Sequence, residues 1–232
     1  MKKKQMAKEK AITSDQMYKI EENGHNLLGM RRVYMMENAG HGLADFIITK
    51  FNTTLNGKAI VVICGSGNNG GDAFVASRHL SGYYNAKVTV ILLGFPADLR
   101  TEEAKINWGI IENMSSIETM FGNGMTDKIK RKISKANIII DGIFGTGVKG
   151  EIRDPHASAI EMINKSKAYV VSVDIPSGID PNTGEAHDIC VKANATVTFH
   201  RMKIGLVNNR KYTGLIHLER IGIPQEAERG VV

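Results

Sequence analysis

Polar and apolar positions follow two periods that alternate along the chain. Residues 59–64 (AIVVIC), 86–93 (AKVTVILL), 137–141 (NIIID), 168–174 (AYVVSVD) and 195–199 (ATVTF) are short, rich in β-branched residues and largely apolar. Strands buried on both faces have this composition, as in a parallel sheet covered by helices. A weaker strand signal lies at 116–119, and a further strand at 215–221. Helical patterns fall between them at 72–81, 101–112, 126–135 and 155–165. Two further helices precede the first strand. Thr13-Ser14-Asp15-Gln16 reads as a capping box opening a helix over 14–23, with Thr13 as the cap and Gln16 reaching back. Over 32–51, Val33, Met36, Ala39, Leu43 and Ile47 recur at helical spacing and form one apolar face. Glu37 and Asn38 in that helix read as a solvated edge. The alternation of strand and helix predicts an α/β fold with a doubly wound, mostly parallel central sheet.

Ligands of such sheets sit beyond the carboxyl ends of the strands. Three strand ends carry unusual residues. The first continues as Gly65-Ser66-Gly67-Asn68-Asn69-Gly70-Gly71-Asp72 and then as a helix. Strand, glycine turn and helix together offer bare backbone N–H groups and a positive helix end to an anion. The spacing Gly65-x-Gly67-x-x-Gly70 fits a dinucleotide fingerprint. The ribose carboxylate expected at the end of the next strand is missing, since Gly94-Phe95-Pro96 stands there. No Gly-Lys-Ser/Thr follows, so the turn is not a P-loop. The second strand end runs from Asp141 through Gly142-Ile143-Phe144-Gly145-Thr146-Gly147 to Glu151, and the third is Asp174-Ile175-Pro176-Ser177-Gly178.

Gly145-Thr146-Gly147 is a second glycine turn suited to phosphate. Asp141 and Asp174 emerge from apolar strands, where a carboxylate needs a cation, a hydrogen-bond donor or a proton. Either alone could serve a turn or a cap. Both together, with Asn69 and Ser177 at the same edge, point to a site. The donor atoms are hard oxygens, suited to K⁺, Na⁺, Mg²⁺ or Ca²⁺ and not to zinc or copper. His79, His156, His187 and His200 fall at no metal-binding spacing, and Ser66 lacks the Gly-x-Ser-x-Gly elbow of a serine hydrolase.

The chain's 232 residues suit a single domain over 13–232, after a basic tail over 1–12 that holds Lys2, Lys3, Lys4, Lys8 and Lys10. That tail carries much of the net charge of +6, and no arginine–aromatic interleaving supports nucleic-acid binding. Cys64 and Cys190 form neither a disulfide framework nor a zinc pattern, and Cys64 reads as a buried, inert thiol. No apolar run reaches membrane-spanning length, and the N-terminus lacks the apolar stretch of a secretory signal. A cytoplasmic protein is expected, with an organellar leader left open.

Taken in order, the motifs Met36-Glu37-Asn38-Ala39-Gly40, Gly67-Asn68-Asn69-Gly70-Gly71-Asp72, Asp141-Gly142-Ile143-Phe144-Gly145-Thr146-Gly147 and Val173-Asp174-Ile175-Pro176-Ser177-Gly178 resemble those of the NAD(P)H-hydrate epimerase family. That family is also called the YjeF N-terminal domain. The likeness continues through Ala195-Thr196-Val197-Thr198-Phe199, Lys203-Ile204-Gly205 and Ile221-Gly222-Ile223-Pro224. It implies a Rossmann-like three-layer α/β/α sandwich, a homodimer, and interconversion of the R and S forms of hydrated NADH and NADPH. Substrate contacts would come from Asn68, Asn69, Gly70, Gly71 and Asp72, from Gly145, Thr146, Gly147, Val148, Lys149, Gly150 and Glu151, and from Asp174. One K⁺ per subunit would be held by Asn69, Asp141 and Ser177.

Two positions depart from the family pattern: Ala73 where many relatives have Gly, and Gly142 where many have Ala. Many prokaryotic relatives continue into a nucleotide-dependent dehydratase. Here the sequence stops at Val232, so that activity is expected on another polypeptide or is absent.

Asp174, at the rigid end of a strand, is the candidate acid/base. Asp174→Asn is expected to fold and bind but not to turn over. Gly71→Val is expected to lose substrate affinity with the fold intact. The competing readings are a non-catalytic nucleotide-binding or scaffold module and an ordinary NAD-dependent oxidoreductase. The presence of the polar residues argues against the first, and the missing ribose carboxylate argues against the second.

Overall fold

The computed structural model describes residues 10–51, 55–83, 86–147 and 150–232. Seven strands form one sheet in the order β3-β2-β1-β4-β5-β6-β7. They are β1 (Ala59–Cys64), β2 (Lys87–Leu93), β3 (Ile117–Gly122), β4 (Ile138–Gly142), β5 (Tyr169–Val173), β6 (Ala195–Phe199) and β7 (Leu215–Glu219). Every neighbouring pair is parallel. The helices are α1 (Ser14–Asn26), α2 (Arg32–Phe51), α3 (Asn68–Tyr83), α4 (Glu102–Glu112), α5 (Asp127–Ser134), α6 (His156–Lys165) and the short α7 (Arg210–Thr213). No helix among the described residues is long and apolar enough to cross a membrane.

Alternate strand residues supply two cores, because successive side chains in a strand point to opposite faces. Ile60, Val62 and Cys64 face a core shared with α1, α2, α3 and α4. Val61 and Ile63 face a second core, closed by Ile129 and Ile133 of α5 and by Ala159, Ile160 and Ile163 of α6. The result is a three-layer α/β/α sandwich. Helix starts follow the sequence signals. Thr13 and Gln16 form the capping box, and Thr101 and Thr126 cap α4 and α5 through Ala104 N and Ile129 N.

Three local expectations are corrected. First, α3 begins at Asn68 rather than at residue 72, so Asn68, Asn69, Gly70 and Gly71 make the helix's first turn. Second, β3 runs on to Gly122 because Met120 and Phe121 pair with Ile91 and Leu92. Third, Glu37 and Asn38 tie elements together instead of forming a solvated edge. Asn38 donates to Ile221 O at 2.8 Å, and Glu37 joins Arg78 and His79 of α3.

Candidate active site

The connection leaving β1 runs to β2 on one side, and the one leaving β4 runs to β5 on the other. The carboxyl ends of β1 and β4 therefore form the switch point at which an open α/β sheet binds ligands. Two glycines let the backbone close up there. A Cβ on Gly65 would lie 2.1 Å from Ile143 O, and one on Gly70 would lie 2.2 Å from Gly65 O. The turn delivers the chain into α3, whose Gly71 N–H already donates to Gly67 O at 3.1 Å. The N–H groups of Asn68, Asn69 and Gly70 in the first turn have no intrahelical acceptor, as the start of a helix dictates, and no other partner among the described residues.

A cavity of about 980 Å³ opens at this point. Of the residues expected from sequence, Asn68, Asn69, Asp72, Gly145, Thr146, Gly147, Gly150, Glu151 and Asp174 line it. Val148 and Lys149 lie outside the described residues. Gly70 and Gly71 are buried behind the wall. A Cβ on Gly71 would meet Met36 Cε at 2.5 Å and Ala104 Cα at 3.3 Å. Gly71 therefore serves the packing of α3 between α2 and α4, so Gly71→Val is predicted to disturb the fold, which differs from the intact fold expected from sequence.

Two sets of ionisable groups line the cavity. Arg100, Arg153 and His156 belong to the first, together with Asp98, Glu103, Glu151 and Asp154; Arg153 is paired with Glu151 at 3.1 Å and His156 is stacked on Phe144 at 4.8 Å. Burial, with Arg100 nearby, lowers the His156 pKa. The second set holds Glu21, Arg32, Asp72, Asp174 and Lys203. Asp174 adopts a left-handed backbone with φ 59°. Its Oδ1 accepts from Lys203 Nζ at 2.5 Å, Thr198 Oγ1 at 3.0 Å and Phe199 N at 3.1 Å. The Lys203 side chain is only 1% exposed and also donates to Phe199 O at 2.8 Å. Burial raises the Asp72 carboxyl well above its ordinary value, and Asp174 and Glu21 add to the rise. Burial likewise raises Glu21 to about 7, with Lys203 opposing.

Sequence reasoning passed over Glu21 and gave Lys203, quoted only within a family motif, no role in the site. A lysine just past an apolar strand reads as solvent-facing. It turns inward here because residues 202–204 fold back across the strand ends, where Ile12 bridges Lys203. Glu21 stands on the packed side of α1, one turn after Met17 and beside Ile20. A carboxyl at an apolar-face position was its only signal.

Asn69, Asp141 and Ser177 do come together. Asp141 is fully buried. Its Oδ2 accepts from Ser172 Oγ at 2.8 Å and Ser177 N at 2.9 Å, and its Oδ1 from Ser177 Oγ at 2.5 Å. None of its hydrogen-bond partners among the described residues is a basic side chain. Burial raises its pKa, and the serine and backbone donors oppose the rise. Ser177 Oγ accepts Phe144 N–H at 2.9 Å, and Asn69 Nδ2 donates to Phe144 O at 2.9 Å. A Cβ on Gly145 would sit 3.2 Å from Asn69 Oδ1, so glycine leaves that oxygen room. A desolvated carboxylate with hydroxyl, amide and carbonyl oxygens close by could hold a hard cation.

Comparison with known proteins agrees with this architecture. Over 94% of the chain the fold matches the crystal structure of the yeast protein ynu0, 92% of which is covered, with a TM-score of 0.81 at 24% identity. The chain is 48% identical to an NAD(P)H-hydrate epimerase of Nitrosopumilus maritimus, over 95% of this chain and 99% of that one. It is 45% identical to a bifunctional NAD(P)H-hydrate repair enzyme of Methanothermobacter thermautotrophicus, over 87% of this chain and 38% of that one. The model for the YjeF-related protein N-terminus matches residues 33–205. By motif, fold and sequence, the chain belongs to the family of the YjeF-related protein N-terminus.

Proposed function

We propose that this protein is an NAD(P)H-hydrate epimerase, interconverting the R and S forms of hydrated NADH and NADPH as a step of cofactor repair. The observation that carries the reading is its end-to-end likeness to relatives of that name, at 48% identity over 99% of their length. The cavity suits the substrate. Phosphates belong at the free N–H groups of the α3 start and at Gly145-Thr146-Gly147, near Arg100 and Arg153. With the phosphates at those turns, the hydrated ring belongs among Glu21, Asp72, Asp174 and Lys203, the titratable groups that can exchange protons with it.

The hydrate bears a hydroxyl on a carbon beside the ring nitrogen. Its loss, helped by the nitrogen lone pair, gives an iminium, and water returns to either face. Proton transfer at oxygen is needed in each direction. Asp174 is the proposed acid/base group. Lys203, Thr198 and Phe199 N occupy Oδ1 and fix the carboxylate's orientation, leaving Oδ2 for the substrate.

Asn69, Asp141 and Ser177, with the Phe144 carbonyl, would hold one K⁺ per subunit. The ion would neutralise Asp141 and brace the loops after β1, β4 and β5. The expected assembly is a cytoplasmic homodimer, with a nucleotide-dependent dehydratase consuming the product. Sedimentation of the intact protein tests the first of these. The activity itself is tested by mixing the enzyme with purified R hydrate of NADH and following the S form by chromatography. Equilibration no faster than in buffer overturns the reading.

A further inference from the structure

Glu21 is a carboxyl without a structural task. It lines the cavity from α1, on the helix face that buries Met17, Ile20 and Gly24. No hydrogen bond to its carboxyl is found among the described residues, whereas its neighbour Glu22, on the outer side, is ion-paired with Lys19 at 2.7 Å. A half-buried ionisable group that faces a cavity, with no hydrogen bond from the protein, is available to a ligand there.

The position of α1 is also closely fixed. Ile12 N donates to Met202 O at 2.8 Å and Ile204 N to Ile12 O at 3.0 Å, so the entry to α1 is strapped beside Lys203. Ser14 N bonds Asn182 Oδ1, Gln16 Nε2 bonds Val231 O and Asn23 Nδ2 bonds Ala227 O. These bonds hold a helix whose only group facing the charged end of the cavity is Glu21.

We propose that Glu21 is a second catalytic group of the site, the proton donor to the departing hydroxyl, working opposite Asp174 as acceptor. This assignment rests on the epimerase reading above. The protonated Glu21 carboxyl gives its proton to the hydroxyl. The C–O electron pair leaves with it as water, and the ring-nitrogen lone pair forms the C=N bond of the iminium. Water then adds to that carbon, the C=N pair returns to nitrogen, and the proton shed by the water passes to Asp174. One turnover thus leaves Glu21 ionised and Asp174 protonated, the state required by the reverse direction, and proton exchange with solvent resets it.

The surroundings favour this division. Lys203 from the loop after β6, Asp174 from the end of β5, Asp72 from α3 and Arg32 from the start of α2 are the charged groups around Glu21. Burial and Asp174 together hold its proton until about pH 7, against Lys203 and Arg32. Asp174 is the member of the cluster that is directly ion-paired with Lys203.

The test is Glu21→Gln in the full chain, with Glu21→Asp for rescue and Glu22→Gln as control. For Glu21→Gln, the rate of R/S equilibration of NADH hydrate should fall roughly 10²–10⁴-fold after subtraction of the background. Calorimetric binding of the hydrate should persist. Glu21→Asp should recover part of the rate, and Glu22→Gln should match wild type. Wild-type kcat/KM should decline above about pH 7, and the Gln variant should lose that limb. Independently, a ¹³C carboxyl resonance absent from Glu21→Gln should titrate near 7 and move when NADH is added. A Gln variant with near-normal rate and an unchanged pH profile overturns the assignment alone, as does a Glu21 resonance titrating near 4.5. A wild-type protein with no activity overturns the epimerase reading and this assignment with it.

Discussion

Gly142 and Ala73 share space for a single methyl group. A Cβ on Gly142 would lie 2.8 Å from Ala73 Cβ and 3.1 Å from Asn69 O. The family pattern expected from the motifs has Gly at 73 and Ala at 142, the reverse arrangement, which would put the same methyl on β4 instead of α3. Gly142→Ala alone should cost about 1–3 kcal/mol by overpacking. Ala73→Gly alone should cost roughly 1 kcal/mol through helix propensity. The double variant should recover much of the first loss, giving a coupling of roughly 0.5–3 kcal/mol in a urea-denaturation cycle. Strict additivity would mean that the two sites do not share the volume.

A second prediction at this scale concerns Asp174→Asn. Asparagine tolerates the left-handed backbone, but it leaves the buried Lys203 ammonium without its counter-charge. The variant should therefore lose roughly 3 kcal/mol of stability as well as activity, contrary to the clean fold expected from sequence. Turnover has to be measured per folded molecule at low temperature. A variant as stable as wild type would show that Thr198 and the Phe199 carbonyl suffice to hold Lys203.

At the scale of elements, Gly71 marks where α2, α3 and α4 meet. Gly71→Val drives a branched side chain toward Met36 and Ala104. The midpoint of urea unfolding should drop by an amount equivalent to about 1–3 kcal/mol. An unchanged midpoint with lost dinucleotide binding would return Gly71 to the phosphate site. The same glycines explain what the sequence hid. The strands β1, β4, β5 and β6 were legible because burial on both faces leaves continuous apolar runs. The start of α3 was not, since Gly70 and Gly71 disfavour a helix by intrinsic propensity and only the close approach of Gly65 O and Met36 requires them. Asn69, Asp141 and Ser177 were legible as strand-end polar residues. Glu21 and Lys203 were not, because their roles depend on α1 and the 202–204 loop meeting across nearly the whole chain.

For the whole molecule, cations and protons should both register in stability. If K⁺ sits with Asp141, wild-type Tm should be higher in KCl than in choline chloride at equal ionic strength. The gain is about 2.7 kcal/mol at a hundredfold excess over Kd, or several degrees for a chain of this size. Asp141→Asn should erase the difference, and equal wild-type Tm values in both salts would count against the site.

The proton effect has a definite sign. Glu21 holds a proton up to about 7 when folded, against 4.5 as its ordinary value, so the native state binds more protons between those limits. Its contribution therefore lowers stability as pH rises through that window and is constant above it. At about 1.4 kcal/mol per pH unit, and allowing for partial exposure, the loss is of order 1–3 kcal/mol. Glu21→Gln should remove it, making the variant the more stable protein at pH 8. Parallel stability curves for the two proteins would place Glu21 in water.

The straps on α1 also bear on how the protein is made. Ile12 waits for residue 202, Ser14 for Asn182, Asn23 for Ala227 and Gln16 for Val231. On a ribosome, the β1–β4 half can assemble while α1 still has nowhere to dock, because its partners are made some 170 to 215 residues later. The glycine turns after β1 and β4 thus take shape early in synthesis, and the charged corner that holds Glu21 closes last. A nascent chain halted near residue 200 would already hold the β1–β4 strand ends but could not bring Glu21 to Lys203.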